Sequence, residues 1–272
     1  MTRSVAENRV VVRGAGEMAS GVIHRLVKNG FEVIALEQPA PACVRRLVCF
    51  AEAFFIKEVT VAGVTAVLVN TGAKATAIAG DGRVPLLIDP EAKLVPVLAP
   101  LAVIDGRMLK QGTDSDLNMA PIVIGLGPGF VAPENCHAAI ETNRGSDLGR
   151  IFYSGSPQAD TGVPAPVSGF SSQRVLRSPA DGEFTSCCRI TDRVESGQVL
   201  GKVGGVEVVS EIDGIVRGMI HDGLMISRGQ KIGDVDPRGI KEHCYRISNK
   251  AGAIGEAVVE ALTTLKTRIT HC

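Results

Sequence analysis

Apolar runs and helix-like spacing alternate from the start of the chain. The run Arg9 to Arg13 predicts a short strand, and the apolar positions 18, 22, 23, 26 and 27 of Glu17 to Asn29 have the spacing of one helix face. Gly30 is a typical residue to end that helix. Phe31 to Leu36 predicts a second buried strand, which ends at Glu37. The pattern is therefore strand, helix, strand.

The same alternation continues through the first half of the chain. It predicts a helix over Ala42 to Phe54, a hairpin over Glu58 to Val69, a helix over Thr71 to Ala79, and strands over Val84 to Ile88, Leu101 to Asp105 and Pro121 to Ile124. Strands that alternate with helices favour a parallel sheet covered by helices. The expected fold class is therefore α/β, with a Rossmann-like nucleotide- or cofactor-binding domain over residues 1–160.

The first strand and helix are joined by Gly14-Ala15-Gly16-Glu17-Met18-Ala19. This is the dinucleotide-binding layout, in which the glycines allow a tight turn and a close approach of the backbone to phosphate. We predict that these six residues contact a cofactor and that Glu37 accepts hydrogen bonds from ribose hydroxyls. A simple strand-to-helix corner is the alternative, and Glu17 would repel an anion if its side chain pointed inward.

A second glycine loop lies in VIGLGPGF, residues 123–130. Gly125, Gly127 and Gly129 follow a buried strand at alternate positions, a pattern that packing alone does not readily explain. We predict that this loop leaves its backbone exposed to a ligand and faces the first loop across the strand ends.

Further polar residues are candidates for the same site. Glu141, Thr142 and Arg144 come just after an apolar strand, and a polar turn is the alternative for them. Arg45 and Arg46 are adjacent in the predicted helix over Ala42 to Phe54, where one arginine would reach a ligand phosphate. Two solvated helix charges are the alternative for that pair.

The second half of the chain contains a repeat. Ser178 to Val203 aligns without gaps with Ser210 to Val235, and both copies predict a turn with Asp-Gly, a strand, a turn with Gly-Gln, and a strand. The pattern resembles the barrel-sandwich hybrid of biotinyl and lipoyl domains. Those carriers present a modifiable lysine between their halves, whereas Gly204 to Gly214 contains no lysine. A swinging-arm role is therefore not expected.

We predict three parts from these patterns. Residues 1–160 form the Rossmann-like domain, and the Pro-, Gly- and Ser-rich stretch Ser154 to Phe170 is a linker. Residues 161–240 form the small β-rich domain that resembles a barrel-sandwich hybrid. Residues 241–272 contain a helix over Asn249 to Ile269, whose apolar stripe is expected to pack on the first domain or on a partner, including another copy of the chain.

Composition and charge narrow the function. The 272 residues carry 29 Lys plus Arg and 29 Asp plus Glu, and a net charge of zero argues against a nucleic-acid partner. The polar start of the chain lacks the apolar core of a secretory signal, and no apolar stretch is long enough for a membrane span. The seven cysteines lack zinc-type spacing, so no metal site is expected, and they are predicted to be thiols in the cytoplasm.

Several blocks together resemble one family. RGAGEMASGVIHRL, LEQPAPACVRRLVCFAEA, VIGLGPGF, IETNRGSDLGRI and KIGDVDPRG occur in this order, and the chain resembles the YqeB-like accessory proteins of selenium-dependent molybdenum hydroxylases. The first loop is also similar to that of XdhC-type maturation factors. The segment Ile104 to Pro121 matches only partly, since Asp114, Ser115 and Asp116 add charge there. The resemblance implies a role in maturation, with the molybdenum cofactor or its selenium-containing form as the material handled.

Three functions therefore compete. The first is a maturation factor that binds a nucleotide-bearing ligand, NAD(P) or a molybdopterin-type dinucleotide, at the two glycine loops, with a molybdenum hydroxylase as its client. The second is an NAD(P)-dependent oxidoreductase. The sequence offers no clear proton donor for it, because His24 is on the first predicted helix and His137 begins a strand, and a structural role is favoured for both. The third is a non-catalytic scaffold that binds a client enzyme.

Overall fold

The fold was analysed in a computed structural model, which describes residues 6–110, 112–160 and 162–270. The described chain forms two compact units. Unit 1 contains the residues up to Pro41, Phe50–Asp160, and those from Ile247 onward. Unit 2 contains Ala42–Cys49 and the residues from 162 to Arg246. Each unit has its own buried apolar core.

Unit 1 is built on one mixed sheet of nine strands. The strands are β1 (Ala6–Arg13), β2 (Glu32–Glu37), β3 (Glu58–Val61), β4 (Val64–Leu68), β5 (Val84–Ile88), β6 (Pro100–Asp105), β7 (Ile122–Leu126), β8 (Ala138–Ile140) and β9 (Ile151–Phe152). Their order across the sheet is β3-β4-β5-β2-β1-β6-β7-β8-β9. The seven inner strands run parallel, and the two edge strands pair antiparallel. The carboxyl ends of the parallel strands therefore share one edge.

The helices of unit 1 are α1 (Glu17–Lys28), α2 (Ala53–Ile56), α3 (Gly72–Gly80), α4 (Val95–Leu98) and α5 (Asn249–Thr270). α3 and α4 pack on strand residues that include Val11, Ile34 and Val103. α5 packs on α1 and also lies against β7 and β8. α1 and α5 pack closely at Gly21, where an added Cβ would lie 2.4 Å from the carbonyl oxygen of Ala251. The absence of a side chain at this position therefore allows the two helices to approach each other.

Unit 2 consists of two four-stranded antiparallel sheets. Its strands are β10 (Val175–Arg177), β11 (Gly182–Ser186), β12 (Arg193–Val194), β13 (Val199–Val203), β14 (Val206–Val209), β15 (Gly214–Met219), β16 (Met225–Ile226) and β17 (Lys231–Asp236). One sheet has the order β10-β17-β15-β12 and the other β14-β13-β11-β16. The two copies of the repeat exchange their middle strands, because β12 pairs with β15 and β16 pairs with β11.

The residues shared by the repeat copies hold this exchange together. The Asp181 carboxylate accepts a hydrogen bond from Arg228 N at 2.8 Å, and the Asp213 carboxylate accepts one from Ser196 N at the same distance. Each Asp-Gly turn thus binds the Gly-Gln turn of the other copy. Each copy therefore supplies a hydrogen-bond acceptor to the turn of the other copy.

The structure corrects the predicted fold class. A Rossmann-like domain joined to a barrel-sandwich hybrid is wrong: unit 1 has a mixed nine-stranded sheet, and unit 2 has two separate antiparallel sheets. In the described residues, the connections from β6 to β7 and from β7 to β8 contain no α-helix. The sequence pattern identifies local elements, whereas the pairing of each strand depends on contacts distant in sequence.

One local prediction also fails. The helix expected over Ala42 to Phe54 is two short 3₁₀ turns, Arg46–Val48 and Phe50–Glu52, followed by the four-residue α2. Within this segment the sulfur atoms of Cys43 and Cys49 lie close together. Helical spacing alone did not reveal that the segment is divided between the two units.

None of the helices in the described part of the chain is both long and apolar enough to cross a bilayer.

Candidate functional site

The first loop, Gly14–Gly16, lies at the shared carboxyl edge of the sheet, directly after β1. Gly14 has a φ of +92°, a conformation that favours glycine, and its N–H donates to Leu36 O at 2.6 Å. The Ser20 hydroxyl fixes the inner side of the turn, because it donates to Ala15 O and accepts from Phe50 N, both at 2.9 Å. The loop is therefore held from two neighbouring segments.

Gly16 differs from Gly14 because the space at its Cβ position is open. A Cβ built on Gly16 would find no atom within 4 Å, and its φ of −67° is open to other residues. Gly16 is the N-cap of α1, and no side chain caps the helix there. The amino terminus of a helix offers N–H groups and a favourable dipole to an anion. The packing within the protein gives no reason for a glycine at this position.

Glu37, at the end of β2, is tied to the first loop. Its Oε2 accepts a hydrogen bond from Ala15 N at 2.7 Å, and its Oε1 accepts one from Gln38 N at 2.9 Å. Burial raises the pKa of Glu37, and these two hydrogen bonds oppose that effect. The acid predicted to meet ribose hydroxyls is thus beside the loop, where it orients the loop backbone.

The loop helix begins with Glu17, Met18 and Ala19. Glu17 and Met18 are partly exposed, and Ala19 is fully buried. An added Cβ on Gly106, in the connection after β6, would lie 2.9 Å from the Ala19 Cβ. Ala19 is therefore small because the connection after β6 passes directly over it, and it is shielded from any ligand by that connection.

The second loop, residues 125–130, has packing reasons for two of its glycines. An added Cβ on Gly125 would lie 2.0 Å from the Phe130 ring, and one on Gly129 would lie 3.1 Å from Leu109 O. Gly127 has a φ of +88° and faces the Thr142 hydroxyl. The expectation that packing does not explain these glycines is therefore wrong, because the ring of Phe130 folds back over its own loop.

Glu141 and Thr142 stabilise the connection after β8. Glu141 is 1% exposed, and its carboxylate accepts hydrogen bonds from the N–H groups of Thr142, Asn143 and Gln158 at 2.7–2.8 Å. Thr142 is also buried and lies against Gly127 of the second loop. These contacts make Glu141 a residue that orders the backbone of this edge.

Lys250, in the first turn of α5, interacts electrostatically with Glu17 and Arg144. Burial lowers the pKa of Lys250, the positive charge of Arg144 lowers it further, and the negative charges of Glu17, Asp160 and Glu141 oppose both effects. The attraction between Glu17 and Lys250 opposes the repulsion of anions expected from the sequence. No sequence motif marked Lys250.

Arg45 and Arg46 lie elsewhere, in unit 2. Arg45 donates to the carbonyl oxygens of His243 at 2.7 Å and Arg246 at 3.0 Å. Arg46 donates from Nε to Met219 O at 2.7 Å and also contacts the His221 ring. Both side chains bind groups of their own unit, and the structure does not bring them together with the first loop in one unit.

Sequence reasoning also missed a network of charges at the ends of β1 and β6. Arg13, 1% exposed, donates to both oxygens of Asp114, at 3.0 and 2.8 Å, and to Ser115 Oγ at 2.7 Å. Asp105, fully buried, accepts from Arg107 Nε at 3.0 Å and from Ser115 Oγ at 2.7 Å. The available signal was a charged residue at the end of each apolar strand.

His24 and His137, the two histidines examined as proton donors for an oxidoreductase, form hydrogen bonds with backbone groups. His24 Nε2 lies 3.3 Å from Ala62 O, and His137 Nδ1 accepts a hydrogen bond from Val123 N at 2.9 Å. Burial lowers the pKa of both rings. Across residues 6–110, 112–160 and 162–270, no three His, Cys, Asp or Glu side chains are grouped as metal ligands would be.

Solved structures show only remote similarity to this chain. An aspartoacylase family protein from Mesorhizobium loti matches with a TM-score of 0.25 and 13% identity over 84% of each chain. The apo ectoine utilization protein EutE (DoeB) from Ruegeria pomeroyi matches with a TM-score of 0.26 and 13% identity, over 85% of this chain and 86% of that chain. TM-scores this low do not establish a shared fold.

Sequence comparison gives a stronger result. No protein-family model matches the chain. The uncharacterized protein YqeB of Escherichia coli (strain K12) is 46% identical over 256 residues, which are 94% of this chain and 47% of that protein. The chain therefore spans about half the length of this relative. The match supports a YqeB-like family for the chain, and it does not extend to the link with molybdenum hydroxylases.

Proposed function

We propose that the first loop binds a nucleotide-bearing ligand and that the chain is a cytoplasmic accessory or maturation protein of a selenium-dependent molybdenum hydroxylase system. NAD(P) and a molybdopterin-type dinucleotide are the candidate ligands. The observation that carries the binding proposal is the open space beside Gly16 at the uncapped amino terminus of α1. A glycine that the protein's own packing does not require is explained by a ligand that approaches the backbone.

Three neighbouring groups support an anionic ligand with hydroxyls. The α1 amino terminus favours phosphate oxygens. The positive charge of Lys250 interacts electrostatically with Arg144 and with Glu17. Glu37, which already accepts from Ala15 N, has further lone pairs that ribose hydroxyls can use. The second loop does not form a second phosphate-binding loop, because the Phe130 ring covers Gly125. It packs beside the site instead.

A binding role is favoured over hydride transfer. His24 and His137 each use a ring nitrogen on a backbone group, and neither residue belongs to the first loop. The accessory role is supported by the ordered set of sequence blocks that resemble molybdenum hydroxylase accessory proteins. The client is accordingly a molybdenum hydroxylase.

Binding is tested by calorimetric titration of NAD, NADP and a molybdopterin dinucleotide into the wild-type chain and two variants. Gly16→Val should weaken binding of the true ligand at least about tenfold, because the side chain fills the approach to the loop. Gly80→Val is the matched control, since Gly80 also has open space around its Cβ and lies at the end of α3. Absence of binding by all three compounds, or equal binding by both variants, contradicts the proposal.

The accessory role needs a separate measurement. We expect a molybdenum hydroxylase to co-purify with the chain and to contain less molybdenum when the chain is deleted. Loss of this effect in Gly16→Val, with Gly80→Val active, ties maturation to the loop. If both variants support the hydroxylase equally, the chain is a scaffold and the loop has no part in maturation.

A further inference from the structure

The network of Arg13, Asp105, Arg107 and Asp114 lies directly beside the first loop. Arg13 and Asp105 are paired across the ends of the parallel strands β1 and β6. Arg13 immediately precedes Gly14, and an added Cβ on Gly14 would lie 3.3 Å from Arg107 N. The two arginines therefore adjoin the start of the glycine loop in the backbone, and their guanidinium groups meet at Asp114.

The two carboxylates of the network differ in their environment. The Asp105 side chain is fully buried, and it accepts from the backbone and side chain of Arg107 and from the Ser115 hydroxyl. The Asp114 side chain is 56% exposed, although its partner Arg13 is 1% exposed. Asp105 is thus an integral part of the sheet edge, whereas Asp114 reaches the arginines from the solvent side.

Asp114 binds the arginines as an anionic ligand would. Its two oxygens each accept from a different nitrogen of Arg13, and Oδ1 also accepts from Arg107 Nη2. Such a two-point contact of guanidinium with carboxylate has the same geometry as its contact with phosphate. The two guanidinium groups are therefore suited to an oxyanion with at least two accessible oxygens.

We propose that Arg13 and Arg107 form a phosphate subsite, that Asp114 occupies it in the free protein, and that the diphosphate group of a ligand displaces Asp114. This deepens the proposed function, on which it rests, because the subsite would receive the phosphates of the nucleotide-bearing ligand at the first loop. Displacement exchanges one anion for another, so the two arginines stay neutralised in both states.

The charge of Asp114 fits this exchange. Hydrogen bonds from Arg13 and Arg107 hold the pKa of Asp114 far below its usual range, and burial opposes them only in part. Asp114 is therefore an anion at neutral pH, as the ligand phosphates are. The competition depends on ligand concentration and salt rather than on a proton.

The test uses inorganic pyrophosphate with the full chain. Asp114→Ala removes the internal competitor, so we expect pyrophosphate to bind this variant at least about tenfold more tightly than wild type and to raise its Tm. Asp114→Asn, which keeps the shape of the side chain, should show the same direction if the alanine variant folds poorly. Adding Arg107→Gln to Asp114→Asn should abolish the gain.

The matched control is Asp81→Ala, which removes the acid of an exposed ion pair with Arg83. If Asp114→Asn and Asp114→Ala gain no more pyrophosphate affinity than Asp81→Ala, Asp114 only holds the two arginines in place. The proposal of a phosphate subsite is then wrong. A gain with pyrophosphate but no binding of any dinucleotide supports the subsite and contradicts the nucleotide ligand. Dinucleotide binding without a gain in the Asp114 variants leaves the proposed function standing and overturns the subsite.

Discussion

The two glycine loops of unit 1 look alike in sequence and differ in the structure. Both follow a buried parallel strand, and both contain a glycine with a φ near +90°, Gly14 in the first and Gly127 in the second. The remaining glycines separate them. Gly16 has open space at its Cβ position, whereas the ring of Phe130 fills that position at Gly125. A glycine pattern therefore indicates a tight backbone, and only its surroundings indicate whether a ligand or the protein uses the space.

The largest expected difference between the loops is in stability, when one methyl group is added to each of them. Gly125→Ala should lower the free energy of unfolding by about 3 kcal/mol, because its Cβ overlaps the buried Phe130 ring. Gly16→Ala should change it by no more than about 0.5 kcal/mol, because the poorer N-cap and the lower entropy of the unfolded chain nearly cancel. Urea unfolding of both variants measures the difference.

The control for this pair is a double variant. Gly125→Ala with Phe130→Leu should be less destabilised than the sum of the two single variants, since the smaller side chain makes room for the methyl group. Strict additivity would mean that Phe130 is not what excludes a Cβ at Gly125. Equal destabilisation by Gly16→Ala and Gly125→Ala would remove the distinction between the loops.

The next effect concerns the feature that the loops share. Gly14→Ala and Gly127→Ala should each cost about 1–2 kcal/mol, because both force a side chain into the left-handed region. The clash at Gly14 is with backbone of Arg107 and that at Gly127 is with the Thr142 hydroxyl. Thr142→Ala should therefore relieve part of the cost only for Gly127→Ala. Equal relief for both variants in thermal unfolding would contradict these contacts.

The smallest expected effect is a pH dependence of stability that comes from Glu37, the residue that binds the first loop. Because burial raises the folded-state pKa of Glu37, its contribution to stability is complete below the unfolded pKa of about 4.3 and is lost as the pH rises through the folded pKa. Relative to Glu37→Gln, the wild-type chain should therefore become less stable as the pH is raised from about 4. Urea unfolding across this range measures the change. A relative stability that is constant or rises with pH would contradict the assignment.

Local elements were largely accessible from the sequence. The helical spacing from Glu17 and from Asn249 predicted helices that the structure has as Glu17–Lys28 and Asn249–Thr270. The segment Ala42 to Phe54 failed because its residues serve two units, and no periodicity records which unit a residue joins. The fold class failed for a similar reason, since the pairing of the edge strands and the separation into three sheets depend on long-range contacts.

The candidate site was predicted only in part. Glycines after a strand and an acidic residue at the end of the next strand are a known binding pattern, so the sequence pointed to Gly14, Gly16 and Glu37. Arg13, Asp114 and Lys250 carry no motif, and their importance depends on burial and on the charges beside them. A charged residue at the end of an apolar strand is nonetheless a signal, because a buried charge needs a partner.

The sequence by itself determined where strands, helices and turns begin, which segments repeat, and which glycines allow unusual backbone. These properties follow from local sterics and from the periodicity of apolar residues. The tertiary structure alone decided that Gly16 is open while Gly125 is filled, that Arg45 and Arg46 belong to unit 2, and that Asp114 neutralises two arginines. The free space and the charge balance at a site depend on residues that are far apart in the chain, so a local sequence pattern cannot predict either of them.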